Sequence, residues 1–279
     1  MDTTTQHNVH HNFGSLLKNW REQRKLSQLK LALAAEISQR HLSFLESGRA
    51  KPSRDMVLLL GEVLDIPLRE RNFLLNSAGF TAGFQQRDLQ SDEMAAVRSA
   101  LDKMLEHHPY PAIVIDKGWD LIQTNTPADR FLGLLGTEEE LWPRLGTGPS
   151  GQERNIMRLT LHPAGLQPML RNWDHVATLL ISRLHREVSA DPSNVNLCAL
   201  FNEVVQYPGI PNHWRQAVWS EAPQPVLPLQ VAMGGNTLSV FSMISTFGTA
   251  VDITADEIRV ESFFPADDFS TAFLQQLAN

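Results

Sequence analysis

Apolar residues recur three and four positions apart from Phe13 onward: Phe13, Leu16, Leu17 and Trp20 form one stripe, which predicts a helix over residues 13–24. Ser27 is placed to cap a second helix over residues 28–35, whose inner face is expected at Leu29, Ala32 and Leu33, with Leu31 and Ala35 alongside. Ser38 caps a third helix that runs to Ser47, with Leu42 and Leu45 facing inward and Gly48 ending it. Behind Pro52, Ser53 precedes Met56, Val57, Leu59, Leu60, Val63 and Leu64, and Pro67 stops that run. A fifth helix follows over residues 68–78 and ends near Gly79. Helices this short can bury their stripes only against one another, so the pattern predicts an all-α bundle over residues 10–80.

Residues 81–92, rich in Gly, Thr, Ser and Gln, read as a linker, and residues 93–279 as a second domain. After a predicted helix at 92–107 the pattern turns to strands at 112–116 and 119–124, with Lys117-Gly118 as a two-residue hairpin turn. Three more strands are expected at 226–233, 238–247 and 258–264, the first two joined by Gly234-Gly235-Asn236. Helices at 173–188, 197–206 and 213–220 lie between the early and late strands. The fold class is therefore α+β, the second domain being an antiparallel sheet with helices over one face.

Composition changes this picture little, and charge changes it more. With 42% hydrophobic and 20% charged residues the chain reads as globular, and no apolar run reaches the roughly 18–20 residues needed to span a bilayer. Residues 1–11 lack a basic-then-apolar signal, so the expected location is cytoplasmic, with no membrane partner. Cys198, the one cysteine, is expected to be core packing. The net charge is −7, yet residues 13–54 hold nine basic and three acidic side chains, or +6. A basic stripe on an acidic body suits a protein that meets phosphate at one end.

The second and third helices meet the demands of a helix-turn-helix: small Ala32 where the helices cross, inward Leu31, Ala35, Ile37, Leu42 and Leu45, and a polar outer face on the third. Gln39, Arg40, Ser43 and Ser47 are expected on that outer face. The Gln39 amide suits adenine and the Arg40 guanidinium suits guanine, each good bidentate contact giving about 1–3 kcal/mol of discrimination. Gln28 and Ser38 at helix starts, with Arg49, Lys51 and Arg54 flanking, complete the candidate DNA contacts.

Leu26-Ser27-Gln28, Ala32, Ile37-Ser38, Leu42 and Leu45-Glu46-Ser47-Gly48-Arg49 resemble the XRE, or phage-repressor-like, helix-turn-helix family. One position departs from that pattern: Glu36 stands where the turn usually has glycine, at a cost of roughly 1–2 kcal/mol if the turn is left-handed. His162-Pro163, Asn172-Trp173, the run from Phe247 to Thr254 and Phe263-Phe264-Pro265-Ala266-Asp267 extend the likeness to the MmyB-like regulators over nearly the whole chain.

That resemblance implies a PAS-like C-terminal sensor with a five-stranded antiparallel sheet, a fatty acid being bound in at least part of the family. It further implies a double-stranded DNA operator as partner. A homodimer is expected from the two-fold arrangement that small reading heads need. A sheet face incompletely covered by helices makes an apolar pocket, and the candidates to line it are Ile113, Ile115, Trp119, Ile122, Met157, Leu161, Trp173, Phe241 and Met243. Arg158 and His162, one turn apart, are candidates to anchor a ligand carboxylate. His7, His10, His11, His107 and His108 form no convincing zinc set, and scattered Ser, His and Asp form no triad, so neither a metal nor catalysis is expected. The alternatives are an enzyme carried to DNA by its helical domain, a haem-binding PAS-like sensor, and a protein-interaction module whose core is empty of ligand.

Overall fold

A computed structural model describes residues 12–148, 151, 154–192, 194–215, 226 and 228–278. The chain divides into two compact units. One takes in residues up to Asp88 together with Thr249–Asp256; the other takes in Leu89–Gly248 and the chain from Glu257 on.

The first unit carries α1 (Phe13–Gln23), α2 (Gln28–Ala34), α3 (Gln39–Glu46), α4 (Arg54–Val63) and α5 (Leu68–Ser77). Side chains of Asn12, Ser27, Ser38 and Ser53 each accept an N–H three residues on, caps that contribute about 1 kcal/mol apiece. All five helices then end alike. The residue after the C-cap turns left-handed, and paired bonds such as Ile37 N–H to the Ala32 carbonyl (2.9 Å) and Glu36 N–H to the Leu33 carbonyl (3.2 Å) close the last turn. Gly48 and Gly79 fill that position for α3 and α5, but Lys25, Glu36 and Asp65 fill it for α1, α2 and α4.

The core of this unit is Leu17, Trp20, Leu31, Ala32, Leu42, Leu45, Leu60, Leu74 and their neighbours. The inner face of α2 differs from expectation: Leu31, Ala32 and Ala35 are buried, whereas Leu29 and Leu33 are 51% and 70% exposed. A seven-residue helix offers only one narrow stripe, and it is centred on Ala32. α1 and α3 approach so closely that a Cβ on Gly14 would sit 2.5 Å from the Glu46 carbonyl oxygen.

The segment Thr249–Asp256, although it follows a sheet strand in sequence, is built into this first unit. Asp252 pairs with Arg87 at 2.9 Å, Ile253 N–H reaches the Gln85 carbonyl (2.9 Å), and Asp256 Oδ2 accepts the Leu68 N–H at the start of α5 (3.3 Å).

In the second unit a 3₁₀ turn (Asp92–Met94) leads into α6 (Ala95–His107), β1 (Ala112–Ile115), β2 (Leu121–Thr124), α7 (Thr126–Gly133) and α8 (Glu138–Leu141). α9 (Ile156–Leu161), α10 (Trp173–Ala190), α11 (Val195–Val204), β3 (Leu229–Met233) and β4 (Asn236–Thr246) follow. α12 (Ile253–Glu257) falls almost wholly in the segment that belongs to the first unit, and β5 (Arg259–Pro265) and α13 (Asp268–Ala278) complete the second. The fold is α+β, and its five strands form one antiparallel PAS-like sheet in the order β2-β1-β5-β4-β3.

Helices cover both faces of this sheet, not one. α6 packs Leu101 and Leu105 on Ala112, Val114 and Val260; α7, α9, α10 and α13 enclose the opposite face in a larger core. α7, α8 and α13 fall where no helix was expected. The helix expected at 213–220 lies mostly outside the described residues, as do His7, His10 and His11. Cys198 is half-buried at the rim of α11, whose Leu197, Leu200 and Val204 take the core positions. Among the described residues no helix is long and apolar enough to cross a membrane.

The β1–β2 hairpin also differs from expectation. Its loop has three residues, with Trp119 N–H bonded to the Asp116 carbonyl (3.1 Å) and Trp119 itself in the left-handed region at φ 67°. Three-residue hairpin loops commonly end on such a residue, where glycine is favoured. Here a tryptophan takes it, one position beyond Gly118.

Candidate functional site

In the first unit, α3 presents one polar side outward. Gln39, Arg40 and Ser47 are exposed and Ser43 is half-exposed, while Leu42 and Leu45 on the opposite side are fully buried. The inner end of α3 is fixed by Glu46, whose carboxylate accepts two bonds from Arg21 (2.6 and 3.0 Å) and one from the Gln28 amide (2.8 Å). Gln28 thus braces α2 against α3, and its amide N–H faces Glu46 rather than solvent. Arg40 and Arg49 both lie over the Phe44 ring, at 5.3 and 5.9 Å from its centroid. The ring's negative face attracts both guanidiniums, whose N–H groups have no hydrogen-bond or ion-pair partner among the described residues.

Ser38 is engaged as the α3 cap. Lys51 is exposed beside the α3–α4 connection, whereas the Arg54 guanidinium lies within 2.9 Å of the Cβ position of Gly83. The basic stripe is thinner than the sequence count. Arg21 is buried on Glu46, and Arg24 donates to the Leu64 and Asp65 carbonyls at the end of α4 (2.9 and 2.7 Å).

In the second unit two adjoining cavities, of about 80 and 100 Å³, lie between the sheet and its covering helices. Ile156, Thr160, Leu229, Val240 and Phe263 line both. The first is otherwise apolar, walled by Ile113, Val231 and Leu238 from the sheet, Ala128, Phe131 and Leu132 of α7, Leu159 of α9 and Leu274 of α13. The second is bounded by Trp119, Met157, Val176 and Leu180 and ends on Ser242 and Glu261.

Of the expected lining residues, Ile113, Trp119 and Met157 face these cavities. Ile115 and Leu161 are fully buried in the surrounding core, Trp173 donates its indole N–H to the Gly209 carbonyl (2.7 Å), and Ile122 is exposed on β2. Phe241 and Met243 alternate with Val240 and Ser242 and so emerge on the other face of β4, where Phe241 stacks on Phe264 and Met243 is exposed.

Arg158 and His162 are not among the residues that line the cavities. The Arg158 guanidinium is buried on Glu203 (2.8 Å) and on the Leu145 and Gly146 carbonyls. His162 lies edge-on to Tyr207, and burial and then the Arg158 charge lower its pKa.

The family described as the MmyB-like transcription regulator ligand binding domain matches residues 97–277, which holds all five strands and both cavities. The chain belongs to the MmyB-like transcription regulators. A helix-turn-helix family matches residues 17–71 of this MmyB-like regulator, from α1 into α5. It is thus a DNA-binding transcription regulator with a ligand-binding domain. No curated protein matches the regulator. A solved structure titled "Structure of an RNA-binding Light-Oxygen-Voltage Receptor" is similar at 9% identity and a TM-score of 0.28, over 98% of this chain and 62% of that one. The regulator therefore spans under two thirds of that chain, and a likeness so slight bears on nothing further.

Proposed function

We propose that this regulator reads a specific operator with Gln39 and Arg40 of α3 and that its sensor domain takes a ligand with an apolar chain. A fatty acid is the member of that class which the family resemblance implies. The observation that carries the first half is the mounting of α3: its buried side is fixed by Leu42, Leu45 and the Arg21–Glu46–Gln28 network, and its polar side is left open. Arg49 and Lys51 supply phosphate contacts, and Arg54 is a weaker candidate because of its place beside Gly83. The second half is supported by a partly enclosed space whose walls are almost entirely apolar.

The regulator works as a cytoplasmic homodimer on pseudo-palindromic half-sites, since a single small helix-turn-helix buries too little surface to bind tightly alone. Ligand then shifts affinity by favouring one dimer arrangement over another.

The test is a titration of Arg40→Ala on a selected operator and on random DNA. Base reading by Arg40 predicts a loss equivalent to about 1–3 kcal/mol on the operator and a much smaller loss on random sequence. Equal losses on both would remove Arg40 from the reading.

A further inference from the structure

Among the described residues, Glu261 is the one ionisable side chain lining either cavity. It sits in the middle of β5, opposite Ile113 on β1 and Ile244 on β4, so strands on both sides hold it facing the covering helices. Ser242 of β4 hydrogen-bonds to it. The cations nearest in charge are Arg183 of α10 and Arg259 of β5, and both are engaged by Glu187 at 3.3 and 2.8 Å while stacking over Trp119. Among the described residues neither forms an ion pair with Glu261. Burial pushes the Glu261 pKa up; the Ser242 bond and the two arginines oppose that push, and Glu187 adds to it.

A ligand that enters head-first into the polar end of the second cavity therefore meets an acid, not a cation. We infer that Glu261 selects the ligand's head group, favouring an apolar chain that ends in an uncharged hydrogen-bond donor, such as an amide or alcohol, over one that ends in an ionised carboxylate. This rests on the ligand-sensing reading above and departs from the fatty acid that the family resemblance implies. An ionised head brings a second negative charge into a site already reluctant to hold one, so it binds only with a proton shared between the two carboxyl groups. An amide head donates to ionised Glu261 and accepts from protonated Glu261, and needs no proton of its own. At about 80 and 100 Å³ each cavity is smaller than the engineered cavity of about 150 Å³ that takes up benzene, so a ten-carbon chain has to run through both and out of their open side.

Calorimetric titration of the full-length protein with decanoic acid and decanamide, at about pH 6 and about pH 8.5, tests this. At the higher pH the amide is expected to bind at least about tenfold more tightly than the acid, and the acid to lose up to about tenfold per pH unit once both carboxyl groups would be ionised. The amide's affinity is expected to stay within about twofold across the range. In Glu261→Gln, which mimics the protonated acid in shape, acid and amide should converge to within about threefold. The wild-type series decides the matter should that variant fail to fold. Acid binding as tightly as amide at the higher pH overturns the head-group inference and leaves the sensing reading standing. Binding of neither probe at either pH overturns the sensing reading, and the inference with it.

Discussion

Ala32 and Ala128 are both buried alanines on helices, one in each unit, and they do opposite things. Ala32 sits where α2 meets its neighbours in a filled core, and its small size lets helices approach. Ala128 sits on α7 at the wall of a cavity, and its small size leaves space unfilled. The reading head is packed to be rigid; the sensor is packed to leave room. Interiors filled to crystal-like density transmit shape faithfully, whereas a void forfeits contacts that a ligand can restore.

The largest break in that contrast is expected at Arg21→Ala. It strands Glu46 without its buried partner and should cost about 3–5 kcal/mol, seen as a lowered unfolding midpoint of the first unit. Ala32→Leu comes next, overfilling the contact and destabilising by about 1–3 kcal/mol, with DNA binding lost in parallel. Ala128→Val has the other sign. It fills space that is empty and should raise stability by up to about 1 kcal/mol while weakening decanamide binding, measured by calorimetry. If both alanine replacements destabilise alike, the two cores are not packed differently.

The smallest effect is expected at Glu36→Gly. The left-handed turn between α2 and α3 favours glycine by roughly 1 kcal/mol, offset in part by the greater freedom of glycine in the unfolded chain, so a small rise in thermal midpoint is expected. A fall would mean that the Glu36 side chain makes a contribution of its own.

The reading head was legible because its signals are local. Ser27, Ser38 and Ser53 cap the helices they precede, and polar Gln39 and Arg40 stand outside the Leu42–Leu45 stripe as the spacing requires. What spacing missed was the inner edge of α2, where Leu29, Leu31, Ala32, Leu33 and Ala35 compete for one stripe, and the role of Phe44 as a platform for two arginines.

The sensor was legible as strands but not as a site. β4 carries apolar residues on both faces, so alternation alone does not tell Val240, which lines the cavities, from Phe241, which does not. The covers α7 and α13 were hidden for different reasons. α7 is only eight residues long, and α13 follows the Pro265-Ala266-Asp267 break, although Leu274 and Leu277 at helical spacing were the available signal. Glu261 gave none, because an acid in a strand ordinarily marks the solvent face.

Regulation by ligand requires that filling the sensor change what the reading head does. The direct measurement is the affinity of the full-length protein for its selected operator, with and without saturating decanamide. A shift of about fivefold or more in either direction is predicted, the range in which coupling between sites ordinarily lies. Unchanged operator affinity, with decanamide demonstrably bound, would contradict it.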